Sequence, residues 1–453
     1  MMKTYYISNE GNNHNDGLSP QTAWATPQYA VATAGGGNTF LLKCGDTFYG
    51  GFRVPDSTDP ENPTVISSYG QGPKPAICCY KKVVDPAAWE QVSQQIWRVN
   101  LFDETKFVGN TLAKDNNVGF ILADGEIRGF KYYKLEDCRT NWDFYCDYDS
   151  GYVYVLYPRN PNEADKEICF ASGGGISLGT NSRVSNLEIY GGGTHGMTGG
   201  HGATDRLENA VATNIDIHDF GGAQLRSEEH FRIIRFGNGI EFWGGAKDVV
   251  VEDCRISNIY DVAITMQGFP AENSGWDNVI FRRNAMWGNQ QSFEIWTNFE
   301  NGVRVDNAGM TNCQFVDNIC IDAGRGWSYY PRHDRQNGAH LLFYATVVDK
   351  HDILVENNVF FDTREVLYHK SIGAPVDGEV PQDYVTRNNH IFIRKDAYLM
   401  NQKHCYRATE LEKMQQELGL EIGSDIHYLM GEKKQTIDEM IKELAPYVLK
   451  NRM

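Results

Sequence analysis

The sequence predicts an all-β fold wound as a parallel β-solenoid, and two observations carry that prediction. The first is a repeat. Asn or Asp closes a strand-like run seven times, at Asn186, Asn214, Asp253, Asn284, Asn318, Asn358 and Asn389, at intervals of 28 to 40 residues. One supersecondary unit recurring with loops of unequal length marks a stacked repeat. The second is the texture of those runs. VVVEDCRI, VIFRRNAM, CQFVDNIC, ILVENNVF and YVTRNNHI alternate apolar and polar residues before the Asn, a period of two that belongs to strands. Equivalent strands stacked in register let Asn side chains form hydrogen-bonded ladders, so the repeat is read as structural.

Composition fits this reading. A chain of 453 residues with 45 Gly, 12% aromatic and 41% hydrophobic residues buries a long continuous core, and a solenoid escapes the usual size limit of one domain. The net charge of −17 disfavours nucleic acid, whose binding depends on Lys and Arg, and argues mildly against an extended polyanion. Ten cysteines contain no CxxC pair and no dense disulfide framework. The opening MMKTYYISNEG lacks an apolar leader and no later run is long enough to span a membrane. The expectation is a reduced, cytoplasmic protein, or a secreted one if a leader has been trimmed away.

Three regions follow in order. Residues 1–180 hold strand-like, turn-rich pieces such as TFLLKCGDTFYGGFRVP and DYDSGYVYVLYPRNP, read as an N-terminal cap and first coils with a hairpin insertion. Residues 181–395 carry the Asn repeat and are read as the central coils with the active face. Residues 396–453 change character: Thr409 to Glu412 and Thr436 to Glu439 are capping-box patterns before helical runs, read as a C-terminal helical cap or tail.

The stretches YYISNEGNNHNDGLSPQTAWATPQYA, GDTFYGGF, GNGIEFWGGAKDVVVEDCRISNIYDVAITMQG and GWSYYPRHDRQNGAHLLFY resemble right-handed parallel β-helix proteins of the pectate-lyase-like superfamily. The likeness covers roughly residues 4–395 and excludes the helical tail. It implies a right-handed parallel β-helix and a carbohydrate-active protein, since many members are glycoside hydrolases or polysaccharide lyases. It carries over no catalytic motif, because this fold hosts several chemistries.

The repeat itself places a site. Five cores aligned ahead of the Asn strands are Gly239 to Trp243, Ala263 to Gln267, Ser292 to Trp296, His340 to Tyr344 and Val366 to Lys370. Their second and fourth positions are apolar except His369, so these point inward, and alternation sends the other three outward. Glu241, Trp243, Thr265, Gln267, Glu294, Trp296, His340, Tyr344, Tyr368 and Lys370 are thereby expected on one outer face. Glu241 and Glu294 share a column two rungs apart, which is about 9–10 Å between Cα atoms at a rung spacing of about 4.8 Å. Carboxyls about 6.5–9.5 Å apart suit inverting glycosidases, and about 5–5.5 Å suits retaining ones.

Two insertions, residues 218–238 and 323–338, precede the Glu241 and His340 strands and are expected to wall a cleft over the intervening rungs. The second supplies Trp327, Arg332, His333 and Asp334, rings and charges suited to sugars. Asp261 and Asp334 are alternative acids, although turn capping also accounts for Asp261. A salt-bridge network accounts for the Arg332 cluster as well as substrate contact does, and packing beneath the insertions accounts for the two tryptophans. His195 and His201 lie in a Gly-rich stretch without matching acidic ligands, and no metal site is expected.

The leading expectation is a glycoside hydrolase acting on a neutral or weakly charged oligo- or polysaccharide. Glu241 and Glu294 would be acid and base, with Trp243, Trp296, Gln267, Arg332, His333, His340, Tyr344, Lys370 and Trp327 binding substrate. No cofactor is expected; the alternatives are a polysaccharide lyase, the one case that admits Ca²⁺, with Arg able to take its place, and a noncatalytic glycan-binding protein. No nucleic-acid or membrane partner is expected. Homo-oligomerisation through the solenoid sides or C-terminal helices stays open.

Overall fold

The computed structural model describes residues 2–449 except 112–113, 165, 202–205, 226–233, 333–337, 345–347, 370–383, 402–404 and 432–434. Period-two sequence becomes three long sheets of ten strands each, built of parallel pairs apart from one antiparallel strand at the end of one sheet. Each coil contributes one strand to each sheet, and the chain is a right-handed parallel β-helix. Its interior is one apolar stack running from Ile7 and Phe40 through Ile240, Phe281 and Phe315 to Leu399 and Met414.

The corner before each third-sheet strand explains the Asn repeat and corrects its register. Asn186, Asn214, Asp253, Arg283, Asp317, Asn357 and Asn388 form one column, all with φ between 54° and 60°. Asn and Asp tolerate this left-handed region better than most residues. The next residue in each coil points inward. In the N-terminal coils it is Leu187, Ile215 and Cys254, and from there on it is Asn284, Asn318, Asn358 and Asn389, all buried. The seven residues of the repeat therefore belong to two adjacent columns: Asn186, Asn214 and Asp253 turn the chain, and the last four build a buried ladder. That ladder ends at Glu421, whose carboxylate accepts from Asn389 Nδ2 at 2.9 Å and Ser424 Oγ at 2.6 Å, and from the Tyr368 hydroxyl. Burial outweighs these bonds and raises the Glu421 carboxyl above its ordinary range.

One sheet carries the outer face of interest. Its relevant strands are β1 (Met197–His201), β2 (Ile240–Trp243), β3 (Val262–Gly268), β4 (Gln291–Thr297), β5 (Ala339–Tyr344) and β6 (Val366–His369). The third sheet ends with β7 (His390–Ile393) and β8 (Asp425–Tyr428). The Gly-rich stretch around His195 and His201 supplies β1, a rung of the coil. At Gly196 a Cβ would meet Ile217 at 2.4 Å and at Gly199 it would meet Leu207 at 2.5 Å, so these glycines are set by close packing.

Between Cys78 and Ile176 the chain leaves the coil. Where the sequence suggested a hairpin, it builds two five-stranded sheets, mostly antiparallel, around their own core of Val83, Trp89, Val99, Phe144, Val153 and Phe170. At the other end, α1 (Leu411–Leu418) and α2 (Ile437–Leu449) follow the coil. The capping box at Thr436 and Glu439 forms reciprocally, at 2.9 and 3.3 Å. At the first helix the box falls two residues earlier than expected, with Arg407 N–H donating to Glu410. Met440, Leu444 and Val448 of α2 cover Ile319, Ile321, Val359 and Phe361 of the third sheet. No helix among the described residues is long and apolar enough to cross a membrane.

Candidate functional site

The strand register brings the two glutamates into one column. Glu241 pairs with Thr265, and Thr265 with Glu294, so one rung separates them, as the alignment required. In the same way Trp243, Gln267 and Trp296 form the neighbouring column. Neither carboxylate stands on open surface: Glu241 is 5% exposed and Glu294 4%. Buried carboxylates are costly unless their oxygens are bonded, and both are. Glu241 Oε2 accepts from Asn238 Nδ2 at 2.8 Å and from Gln267 Nε2. Glu294 Oε2 accepts from Thr265 Oγ1 at 3.1 Å.

Two neighbours of Glu241 were not legible in the sequence. Asn238 is buried at the corner before β2 and ties the main-chain N–H of Val262 through its Oδ1 at 3.2 Å, so it fixes both the acid and the next rung. His195 approaches Glu241 with Nδ1 at 3.4 Å. The same Nδ1 accepts the Asn238 N–H at 3.1 Å, which leaves it no proton to give Glu241. His195 lies in a corner one rung above Asn238, in the Gly-rich segment where no metal site was expected.

The tryptophans form a cluster with a third ring. Trp243 and Trp296 are 5.9 Å apart, and Phe269 stands edge-on to both at 5.5 and 5.6 Å. All three rings are half-buried, so they make an aromatic shelf beside the glutamate column.

A guanidinium links the two insertions. Buried Arg235 donates to Gly222 O at 2.8 Å, Gly119 O at 2.6 Å and Pro331 O at 3.3 Å. It joins the first insertion, the N-terminal module and the second insertion, and it lies 4.6 Å from the Tyr260 ring centre. Arg332 lies against the same ring and donates to Asp261 at 2.7 Å, with its side chain only 6% exposed.

These contacts reassign several residues expected to face substrate. Arg332 and Asp261 form an internal ion pair that anchors the second insertion. Trp327 donates to Asn258 O at 3.0 Å and packs on Phe120 and Tyr260, which fastens the loop to the coil. His340 is 1% exposed: it bonds Ser292 Oγ and Asp362 O, and burial depresses its imidazole to about 4. Alternation pointed it outward, but the corner closes over it. The last rung is also shifted by one residue, with Leu341 opposite Tyr368 and Leu342 opposite His369. Tyr368 therefore points into the core and is fully buried. His333, Asp334 and Lys370 lie outside the described residues, as does the Tyr344 side chain, although its backbone pairs with Trp296.

Among the described residues no three acidic, His or Cys donor atoms converge within 4.8 Å of one another at this site. What it offers is two hydrogen-bonded carboxylates on one column, an aromatic shelf beside them, and the His195 ring and the Asn238 amide behind one acid.

No family model and no curated protein matches the chain. Solved structures match its fold. XylC in complex with xylose is 11% identical, with a TM-score of 0.51, covering 93% of this chain and 82% of that one. A GH136 lacto-N-biosidase from Eubacterium ramulus is 14% identical, with a TM-score of 0.40 over 94% and 68%. The pectate lyase Pel9A is 11% identical, with a TM-score of 0.44 over 96% and 79%. At such identities the likeness is one of fold.

Proposed function

We propose that the protein is a glycoside hydrolase that cleaves a neutral or weakly charged oligo- or polysaccharide, with Glu241 and Glu294 as its acid and base. The observation that carries this reading is the column in which Thr265 separates the two buried carboxylates. Two rungs give a Cα separation of about 9–10 Å, which suits an inverting pair with water on the far side of the sugar ring. Buried acids in a chain that could have solvated them elsewhere are a functional signature.

The remaining residues fit the same chemistry. The shelf of Trp243, Trp296 and Phe269 offers apolar rings to a sugar's C–H face. Asn238 and Gln267 orient one oxygen of Glu241 and leave the other to face substrate or water. Thr265 holds one oxygen of Glu294. The structural neighbour XylC, which holds xylose, supports a sugar ligand for this fold.

The test is a panel of neutral glycans assayed for new reducing ends with the parent chain and with Glu241→Gln and Glu294→Gln. Turnover by the parent and a loss of about a thousandfold in each variant are expected. Full activity in both variants would remove the assignment. An unsaturated uronate product would replace hydrolysis by β-elimination, and glycan binding without turnover in the parent would leave a binding protein.

A further inference from the structure

At the far end of the coil, β7 and β8 pair in parallel with His390 opposite Asp425 and Phe392 opposite His427. Alternation puts all four side chains on one face of the third sheet. There two imidazoles close on one carboxylate oxygen: His390 Nδ1 lies 2.8 Å from Asp425 Oδ1, and His427 Nε2 lies 3.3 Å from it. The three donor atoms lie within 4.8 Å of one another.

Their surroundings hold the rings in place. His427 stacks on Phe392 at 4.4 Å, and the Tyr447 ring of α2 packs against both imidazoles, at 5.2 and 5.4 Å. His427 Nε2 is shut off from solvent and, despite its 3.3 Å approach, is out of line for a hydrogen bond. A ring nitrogen with no hydrogen-bond partner, beside a carboxylate oxygen that already serves a second imidazole, is a donor atom left to ligate an ion. Asp425, half exposed, keeps the centre open to ions from solution.

We propose that His390, Asp425 and His427 form a divalent transition-metal site that clips the C-terminal cap to the last coil. Two imidazole nitrogens and a carboxylate oxygen suit Zn²⁺, with water as the fourth ligand. Bonds of about 2.0–2.2 Å in a tetrahedron set donor atoms about 3.3 Å apart. The His427 to Asp425 spacing already meets this, and the His390 pair opens by a few tenths of an ångström. His390 belongs to the repeat, whereas Asp425 and His427 arrive 35 or more residues later on the cap's own strand, so a bound ion cross-links the two. The site is independent of the glutamate column.

The full chain, stripped with a chelator, is titrated with ZnCl₂ by calorimetry and melted with and without the ion. One equivalent is expected to bind and to raise the melting midpoint by about 2–4 °C. His427→Gln is expected to abolish both effects. Asp425→Asn, at an exposed position, is expected to weaken binding at least tenfold with wild-type circular dichroism, which keeps the test open if His427→Gln folds poorly. No stoichiometric binding by the parent chain, or binding unchanged in Asp425→Asn, overturns the site and leaves a hydrogen-bonded cluster.

Discussion

Asn318 accepts, at one amide oxygen, both the main-chain N–H of Asn284 at 3.0 Å and its side-chain Nδ2 at 3.1 Å. The pattern repeats to Asn358 and Asn389, while each Nδ2 also donates to a carbonyl of the rung behind, as Asn318 does to Phe281 O at 3.1 Å. Every amide proton in the column has an acceptor, and each link orients the next. Asn318→Ala removes an acceptor from two buried donors and takes one donor each from Phe281 O and Asn358 Oδ1, the latter keeping the main-chain N–H of residue 318. It is expected to cost roughly 2–4 kcal/mol in urea unfolding. A cost below that of Val250→Ala, a half-buried site on the neighbouring sheet, would mean that the ladder follows the fold without holding it.

Asn238 acts on the proposed chemistry only through Glu241 and is a positioning residue. Asn238→Ala is expected to lower kcat about tenfold to a hundredfold with KM nearly unchanged, since the acid loses its orientation and the aromatic shelf does not. Asn238→Asp, which puts a second carboxylate beside Glu241, is expected to be worse than alanine. A folded fraction that falls in step with kcat in circular dichroism, with turnover per folded molecule unchanged, would point to general destabilisation.

The Trp296 ring makes the opposite prediction. Trp296→Ala keeps both glutamates and removes one of three rings, so KM is expected to rise about tenfold with kcat within a few fold. Trp296→Phe should recover most of the loss. Initial-rate kinetics on the best glycan of the panel separate the two cases.

His218, on the third sheet, sets a pH dependence of stability. Burial opposes its charge, but Asp219 at 2.7 Å and Glu188 at 3.0 Å outweigh burial and raise the imidazole from 6.5 to about 9. The charged form is therefore favoured in the folded state. Its contribution is complete below about pH 6.5 and is lost as pH rises through about 9. Comparing His218→Gln with the parent chain should show a stability deficit of roughly 1–3 kcal/mol at pH 6, allowing for partial solvent screening, that narrows by pH 9.5. A deficit that is the same at both pH values would assign His218 a packing role.

The sequence made the repeat visible because the coil's period of two survives in every strand, and that sufficed to set Glu241, Thr265 and Glu294 in one column. It misplaced Asn186, Asn214 and Asp253 because two adjacent columns both favour Asn, one for its left-handed φ and one for its amide. The last rung slipped by one residue, since Leu367 and Tyr368 are both buried and alternation alone gives no register there. His340 and Arg332 looked exposed because parity says where a side chain points and not what lies over it. Asn238, His195 and the His390 cluster depend on contacts between rungs that are far apart in sequence, and no local pattern encodes those.

The two-sheet module between Cys78 and Ile176 also bears on how the chain reaches its fold. On either side of it successive coils are built from short neighbouring stretches, yet Ser67 and Ser185, whose hydroxyls lie 2.9 Å apart, are separated by 118 residues. Closing a loop about four times longer than an ordinary coil costs only about 1.2 kcal/mol more, so the joint is cheap at equilibrium. In time it is expensive, because distant contacts form after near ones. The coils from Ser182 onward can wind by themselves, and the first coils then dock on a preformed edge once the module has closed. Pulse-labelled hydrogen exchange should find amides of β3 and β4 protected before those of Thr64–Tyr69, and the reverse order would place the nucleus at the N-terminus.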